Sequence, residues 1–526
     1  MSIRRQLRVR SAIIRWLTAR EEERPVTSFT LRFSRRIFEY DVFHLIQAFF
    51  PFSEASIWYM GDEKSSGAHD ADFTVEYADD RVSFSCATAN GEHFGSEAPI
   101  TDWQDRHQTK NEVKGLVYRV LSERTGKKLP WGDLTGIRPT KIVMEMAEEG
   151  RTEEEIRSCL QQQYFVSDEK ISLSVHTVSR ERSILSRCHT VKGSPDGRKG
   201  YSLYVDVPFC PSICLYCTFG SHRLDAFRDR MAPYFRSLYQ ELRFVSRSMR
   251  ERDYCLDTIY IGGGTPTSVP PEQLDELLGV ICAEFDLSQL QEFTVEAGRP
   301  DTVSDAILGV LRKYPVTRIS INPQTMVQRT LDLIGREHTT EQTVDAFQRA
   351  RAAGFDNINM DMIVGLPGEG EAEIRQTLDG IAALSPESLT VHSLALKRAA
   401  RLNQNRDAWE AVSFASSPTI MQMTTQTASS LGMTPYYLYR QKNMAGNFEN
   451  VGYAAPGKAC IYNVLIMEEQ QTIMACGSGA STKFVFDGGK RIERAENVKD
   501  LDNYIGRIDE MIERKRTGLE KYLSGT

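Results

Sequence analysis

Long hydrophobic runs, a basic excess and a dense set of cysteines are all missing from this chain. No stretch reaches the roughly 18 apolar residues that a membrane helix requires, so no membrane span is expected. The formal net charge is −7, whereas a general nucleic-acid binder carries basic surplus. Ten cysteines in 526 residues are too few for a disulfide scaffold. Cys86, Cys159, Cys188, Cys255, Cys282, Cys460 and Cys476 stand singly, as buried reduced thiols do. The Arg-rich start, MSIRRQLRVRSAIIRWLTAR, has too short an apolar core for a secretory signal. It reads as a basic surface helix or arm, or as a transit peptide. A cytoplasmic location is the default expectation.

What is present is ordinary globular material, 41% hydrophobic and 26% charged, long enough for about three domains at roughly 150 residues each. The clearest boundary is TVKGSPDGRKG, Thr190 to Gly200, rich in glycine and proline. Before it, TLRFSRRIFEYDVFHLIQAFFP predicts a strand and then a helix stopping at Pro51. Phe73, Val75 and Tyr77, then Val82, Phe84 and Cys86, alternate around Asp79–Asp80 as a hairpin. Helices are expected at NEVKGLVYRVLSERTG and TEEEIRSCLQQQY. WGDLTGIRPTK reads as a turn, or as an anion site through Arg138 and Lys141. The predicted organisation is an N-terminal α+β domain of unknown role (1–189), a linker (190–200), a β/α domain (201–397) and a C-terminal α+β cap covering the substrate (398–526).

After the boundary, YSLYVDV, DTIYIGGG, EFTVEAG, VTRISIN, NINMDMIVG and SLTVHSL alternate with helix-length connections. Repeated β/α units predict a parallel sheet, and six are too few for a closed eight-stranded barrel. The fold class is therefore α/β, a partial (β/α)6 barrel. YYLYRQKN and QTIMACGSGASTKFVF suggest further strands. In such sheets ligands gather at the C-terminal strand ends, where every unusual loop of this chain falls.

The first of those loops is VPFCPSICLYCTFGS, with Cys210, Cys214 and Cys217 within eight residues. Helical spacing would allow a buried stripe, but Pro208, Pro211 and Gly220 make the segment a loop. Zinc held by the three cysteines and His222 is one reading; an iron–sulfur cluster is the other. A four-iron cube held by three thiolates keeps one iron open to a small molecule, as a catalytic cluster needs. The second strand ends in GGGTPT, Gly262 to Thr267, whose backbone can approach a ligand closely.

C-x3-C-x2-C after the first strand of a β/α array resembles the radical S-adenosylmethionine (radical SAM) superfamily. That resemblance implies a 4Fe–4S cluster on Cys210, Cys214 and Cys217. Its open iron binds S-adenosylmethionine, which is cleaved to a 5′-deoxyadenosyl radical. From Tyr201 to about Phe486, YVDVPFC, IGGGTPT, RISINPQ and MDMIVGLPGE resemble the oxygen-independent coproporphyrinogen III oxidases. TVEAGRPDT and YYLYRQKNMAGNFENVGY are similar to the HemZ-type coproporphyrinogen dehydrogenases, which share a segment like LTGIRPTK. The resemblance implies cofactor contacts at Tyr204, Tyr216, Gly263, Gly264, Thr265, Glu296, Gln324, Arg336, Asp361 and Ala395.

For a tetrapyrrole substrate with four carboxylates, Arg299, Tyr439, Arg440 and Lys442 are the candidate contacts. Arg440 and Lys442 could equally sit on a solvated strand edge. The implied reaction is oxidative decarboxylation of propionates to vinyl groups in haem biosynthesis. It draws on an electron donor such as flavodoxin or ferredoxin, with no nucleic-acid or membrane partner. Alternatives are a haem- or tetrapyrrole-trafficking protein, or a radical enzyme such as a methyltransferase on another substrate. Phe219 stands where the best-known oxidases have a further cysteine. Where the related haem chaperones have His-Asn-x-x-Tyr-Trp, this chain reads Tyr462-Asn463-Val464-Leu465-Ile466-Met467.

Overall fold

The computed structural model describes residues 26, 28–51, 53–62, 69–395, 417–441 and 448–523. The Arg-rich start and Lys442 lie outside the described residues. Internal contacts divide the chain into two compact units, Met1–Leu173 and Ser174–Arg406 with most of the remainder.

The first unit is built on β1 (Ser28–Phe33), β2 (Glu54–Tyr59), β3 (Ala71–Tyr77), β4 (Arg81–Thr88) and β5 (His93–Pro99), in the order β2-β1-β3-β4-β5. The predicted hairpin is β3–β4, with Val75 opposite Phe84. Its alternating apolar residues are buried beneath helices Glu39–Phe49 and Arg106–Thr125. Glu153–Tyr164 forms as expected, started by a Thr152/Glu155 capping box that satisfies two backbone donors. In WGDLTGIRPTK, Trp131 is buried and Asp133 pairs with Lys114 at 3.7 Å. The segment turns into helix Thr140–Glu148, where Lys141 pairs with Glu145.

The second unit holds the six expected parallel strands. The first is β6 (Lys199–Val207), followed by a two-residue pairing of β7 (Phe209–Cys210) with β8 (His222–Arg223). Then come β9 (Tyr254–Gly263), β10 (Glu292–Glu296), β11 (Arg318–Ser320), β12 (Ile358–Val364) and β13 (Ser388–Ser393). They lie side by side in chain order, all parallel, with long helices such as Arg228–Arg250 between them.

The C-terminal strands are β14 (Thr434–Tyr439), β15 (Asn450–Ala454), β16 (Thr472–Cys476), β17 (Ser481–Phe486) and β18 (Arg491–Glu496). They extend this sheet at both edges. β15 and β14 add antiparallel beyond β13. β16 runs parallel to β6 as a seventh parallel strand, and β17 and β18 follow it. All five residues of β16 are buried, so this strand, one of those QTIMACGSGASTKFVF suggested, is part of the sheet's core. No described helix is long and apolar enough to cross a membrane.

Candidate functional site

The cysteine loop is fastened at both ends by backbone. On entry, the Gly264 N–H donates to the Val207 carbonyl (2.9 Å), and Thr265 N–H to the Phe209 carbonyl (2.7 Å). A Cβ on Gly264 would stand 2.6 Å from the Phe209 oxygen and 2.8 Å from its nitrogen. Gly263, at φ +100°, has Asp206 Oδ1 where a Cβ would go. Glycine is therefore demanded here by packing of the glycine turn against the loop's entry. On exit, the His222 N–H donates to the Pro208 carbonyl (2.6 Å), and Leu224 N–H to the Cys210 carbonyl (2.9 Å). Gly264→Ala drives its methyl into main chain, which costs about 1–3 kcal/mol when a packed site is overfilled. The expected result is a lower melting temperature together with less iron per reconstituted chain.

Two buried arginines brace the middle of the loop. Arg299 grips Asp301 with both fork nitrogens (2.9 Å each) and donates to Ser212 Oγ (2.7 Å). Three of its five N–H donors thus go to protein groups, and the side chain is buried. Arg336 donates to Tyr216 Oη (3.1 Å) and to the carbonyls of Gly298 (2.8 Å) and Asn322 (2.7 Å). Cys210 Sγ lies 3.3 Å from Thr265 Oγ1. Burial pushes the Cys210 thiol up and the Cys217 thiol to about 11. Loading metal must therefore expel protons from these thiols.

At the neighbouring strand ends, Glu296 accepts from Tyr260 Oη, and burial raises its carboxyl to about 7. Burial opposes charge on Asp361 as well, but His392 and Asn359 hold it below the usual carboxylate range. The Asn359 amide reaches Asp361 Oδ1 at 2.7 Å. Gln324 occupies the left-handed region at φ +65°, bridged to Met362, and its buried Oε1 has no partner among the described residues. A non-glycine residue held there with an unmet acceptor is a strained, ligand-seeking position. Ala395 follows β13 at the last of these ends.

A cavity of about 290 Å³ opens beside the loop, lined by Tyr204, Asp206, Phe219, Gly264, Tyr462 and Lys499 among others. Tyr204 stacks on Tyr260 and on Tyr462 (6.2 Å each), and Tyr260 on Tyr462 at 4.6 Å. The structure thus brings Tyr204 and both glycines to one wall with Phe219, while Glu296 ends β10, Gln324 follows β11 and Asp361 lies in the middle of β12. Tyr439 stacks on Tyr437 at 6.1 Å, and Arg440 is buried where a solvated edge was the alternative. Asp206, Tyr462 and Lys499 were not anticipated as lining. For Asp206 the signal was legible: a lone acid near the end of an otherwise apolar strand. Burial lifts its carboxyl well above the ordinary range.

The donor set fits a cluster better than a single ion. Zinc bonds of about 2.3 Å would draw three sulfurs to roughly 4 Å of one another. Among the described residues, the group of ligand atoms lying mutually within 4.8 Å is His189, Asp196 and Cys255, and the loop cysteines are not in it. The unmet Gln324 Oε1 and the buried, unpartnered Arg336 Nε fit a further polar ligand at the strand ends.

Residues 204–381 match the Radical SAM superfamily model. This site is therefore that of a radical SAM protein, and its cofactors are a 4Fe–4S cluster and S-adenosylmethionine. The chain is 37% identical over 490 residues to the oxygen-independent coproporphyrinogen-III oxidase-like protein HemZ of Bacillus subtilis, covering 90% of this chain and 94% of that one. It belongs to the family of these HemZ proteins. It is also 38% identical over 200 residues to the heme chaperone HemW of Lactococcus lactis, spanning half of that protein. Coproporphyrinogen III oxidase (HemN) of Escherichia coli superposes with a TM-score of 0.46 at 22% identity, over 63% of this chain and 72% of that structure.

Proposed function

We propose that this protein is a cytoplasmic oxygen-independent coproporphyrinogen dehydrogenase, converting propionate side chains of coproporphyrinogen III to vinyl groups for haem synthesis. The observation that carries this reading is the end-to-end likeness to HemZ, 94% of whose length is matched, against half of HemW. The bound cofactors supply one-electron cleavage chemistry and a hydrogen-abstracting radical. In this reading Cys210, Cys214 and Cys217 hold the cluster. Gly263, Gly264, Thr265, Glu296, Gln324, Arg336 and Asp361 hold and orient S-adenosylmethionine, with Tyr204, Tyr216 and Ala395 shaping its walls. The stacked tyrosines exclude water, and Lys499 at the cavity offers a cation to a substrate carboxylate. An electron donor such as flavodoxin or ferredoxin is required.

The test is anaerobic turnover of coproporphyrinogen III by reconstituted protein with dithionite, followed by mass spectrometry of protoporphyrinogen and 5′-deoxyadenosine. Appearance of both is expected. Deoxyadenosine without tetrapyrrole conversion would discard the substrate. A tight stoichiometric haem complex with no deoxyadenosine would put the trafficking reading in its place.

Glu296 gives this reading a pH signature. Its carboxyl is protonated below about 7 when folded but below 4.5 when unfolded. Its contribution to stability is thus fully present below 4.5 and lost as pH rises through about 7. An ammonium group requires the ionised carboxylate, so cofactor binding expels the proton. S-adenosylmethionine should bind about tenfold more weakly at pH 6 than at pH 8. Calorimetry in two buffers of different ionisation heat reads the proton released, and Glu296→Gln should reduce the pH dependence to that of the cofactor's own amine.

A further inference from the structure

At the other end of the sheet lies a second group of ligand-type side chains, which the cluster chemistry does not use. Cys255 and Asp257 begin β9, His189 follows helix Asp168–Leu185, and Asp196 lies in the glycine-rich segment leading to β6. His189, Asp257 and Cys255 are buried.

Asp257 is an anchored anion. It accepts from the His189 N–H (2.8 Å), Gln471 Nε2 (2.5 Å) and Gln291 Nε2 (3.1 Å), and lies 2.6 Å from His189 Nδ1. With Nδ1 against that carboxylate, the ring's other nitrogen, Nε2, lies 3.2 Å from Asp196 Oδ1. Cys255 Sγ completes the group, all three ligand atoms lying within 4.8 Å of one another. The Arg198 guanidinium grips Asp196 Oδ2 (2.7 and 2.8 Å), and the Arg198 N–H donates to Oδ1 (3.0 Å), which fixes the carboxylate in place.

We propose that His189, Asp196 and Cys255 bind a zinc-type divalent metal, with solvent as the fourth ligand. Mixed N, O and S donors suit zinc, and bonds of 2.0–2.1 Å set tetrahedral ligand atoms about 3.3 Å apart, close to the His–Asp separation. The carboxylate behind Nδ1 is the partner that metal-bound histidines have, fixing the tautomer and orienting the ring. Such an ion would pin the Thr190–Gly200 segment to the start of β9, away from the iron–sulfur loop.

The test uses full-length protein with its cluster reconstituted, incubated with zinc chloride, desalted and assayed for both metals. About one zinc per chain beyond the cluster iron is expected. Cys255→Ala should lose that zinc while keeping its iron. Asp257→Asn leaves all three ligands in place and should weaken zinc about 10- to 100-fold. Cobalt in place of zinc should give a thiolate charge-transfer band that Cys255→Ala removes. Equal zinc in wild type and Cys255→Ala, or no thiolate band with cobalt, would overturn the proposal. His189 would then link the two carboxylates through its ring nitrogens alone.

Discussion

Cys214→Ala is expected to leave a folded chain that holds no intact cluster and makes no 5′-deoxyadenosine above a protein-free control. The loop keeps its shape without the thiol, because backbone and arginines fix it. Leu215 N–H donates to the Ile334 carbonyl (2.9 Å), Ser212 Oγ to that of Gly335 (3.1 Å), and Arg299 to Ser212. On the proposed assignment of the three cysteines, the change removes one iron ligand from a cluster already one protein ligand short of the usual four. Phe219→Ala is the informative contrast. Its ring is 73% exposed and lies beyond the last cysteine, so iron content and deoxyadenosine formation should stay near wild type. Iron analysis and mass spectrometry on the two variants check both statements. If Phe219→Ala behaves like Cys214→Ala, the ring is part of the cluster's shelter.

The contrast marks what a sequence can carry. Glycines that lie against backbone and thiolates spaced for a cluster are local demands, readable at Gly264 or Cys214 without knowing what lies opposite. The six β/α strands were legible for the same reason, since strands buried on both faces read as continuous apolar runs wherever they pair. β16 reads the same way, but its register against Tyr201–Val205 joins residues some 270 positions apart, and nothing in TIMAC names that partner. Arg299 was ambiguous for a related reason: a guanidinium near a strand end serves a substrate carboxylate or a protein one equally well. In the fold it is Asp301, two residues on, and Ser212 that it meets. Tyr462 belongs to the cavity because Glu292 accepts the Ile461 N–H (2.6 Å) and the Tyr462 N–H (3.3 Å). That fixes the helix Ile461–Met467 against the strands.

Lys515→Met should be the most damaging substitution far from the loop, costing about 3–5 kcal/mol because it strands a buried carboxylate. Lys515 Nζ lies 2.6 Å from Glu241 Oε1, and both side chains are wholly buried. Asn497 Nδ2 donates to the same oxygen (2.8 Å), while Tyr504 Oη (2.7 Å) and the Gly477 N–H (2.8 Å) donate to Oε2. One carboxylate on helix Arg228–Arg250 thus ties together β16's end and helix Ile508–Leu523.

A buried pair of this kind is weak evidence for net stability, because desolvation offsets its attraction. Glu241→Leu combined with Lys515→Met should therefore recover much of the loss in thermal melts. Function should not recover with it. Gly477 and Ser478 pack against Asp206, where a Cβ on Gly477 would stand 2.7 Å from the Asp206 Cβ. Asp206 in turn lines the cavity four residues before Cys210. Without Glu241 the Gly477 N–H loses its acceptor, and the turn against that cavity wall loosens. The double variant is expected to melt above Lys515→Met but below wild type, because Tyr504 Oη and the Gly477 N–H lose their acceptor, and to bind S-adenosylmethionine several-fold more weakly. Wild-type affinity in it would make Glu241 a stability element alone, and the cavity wall independent of the C-terminal helix.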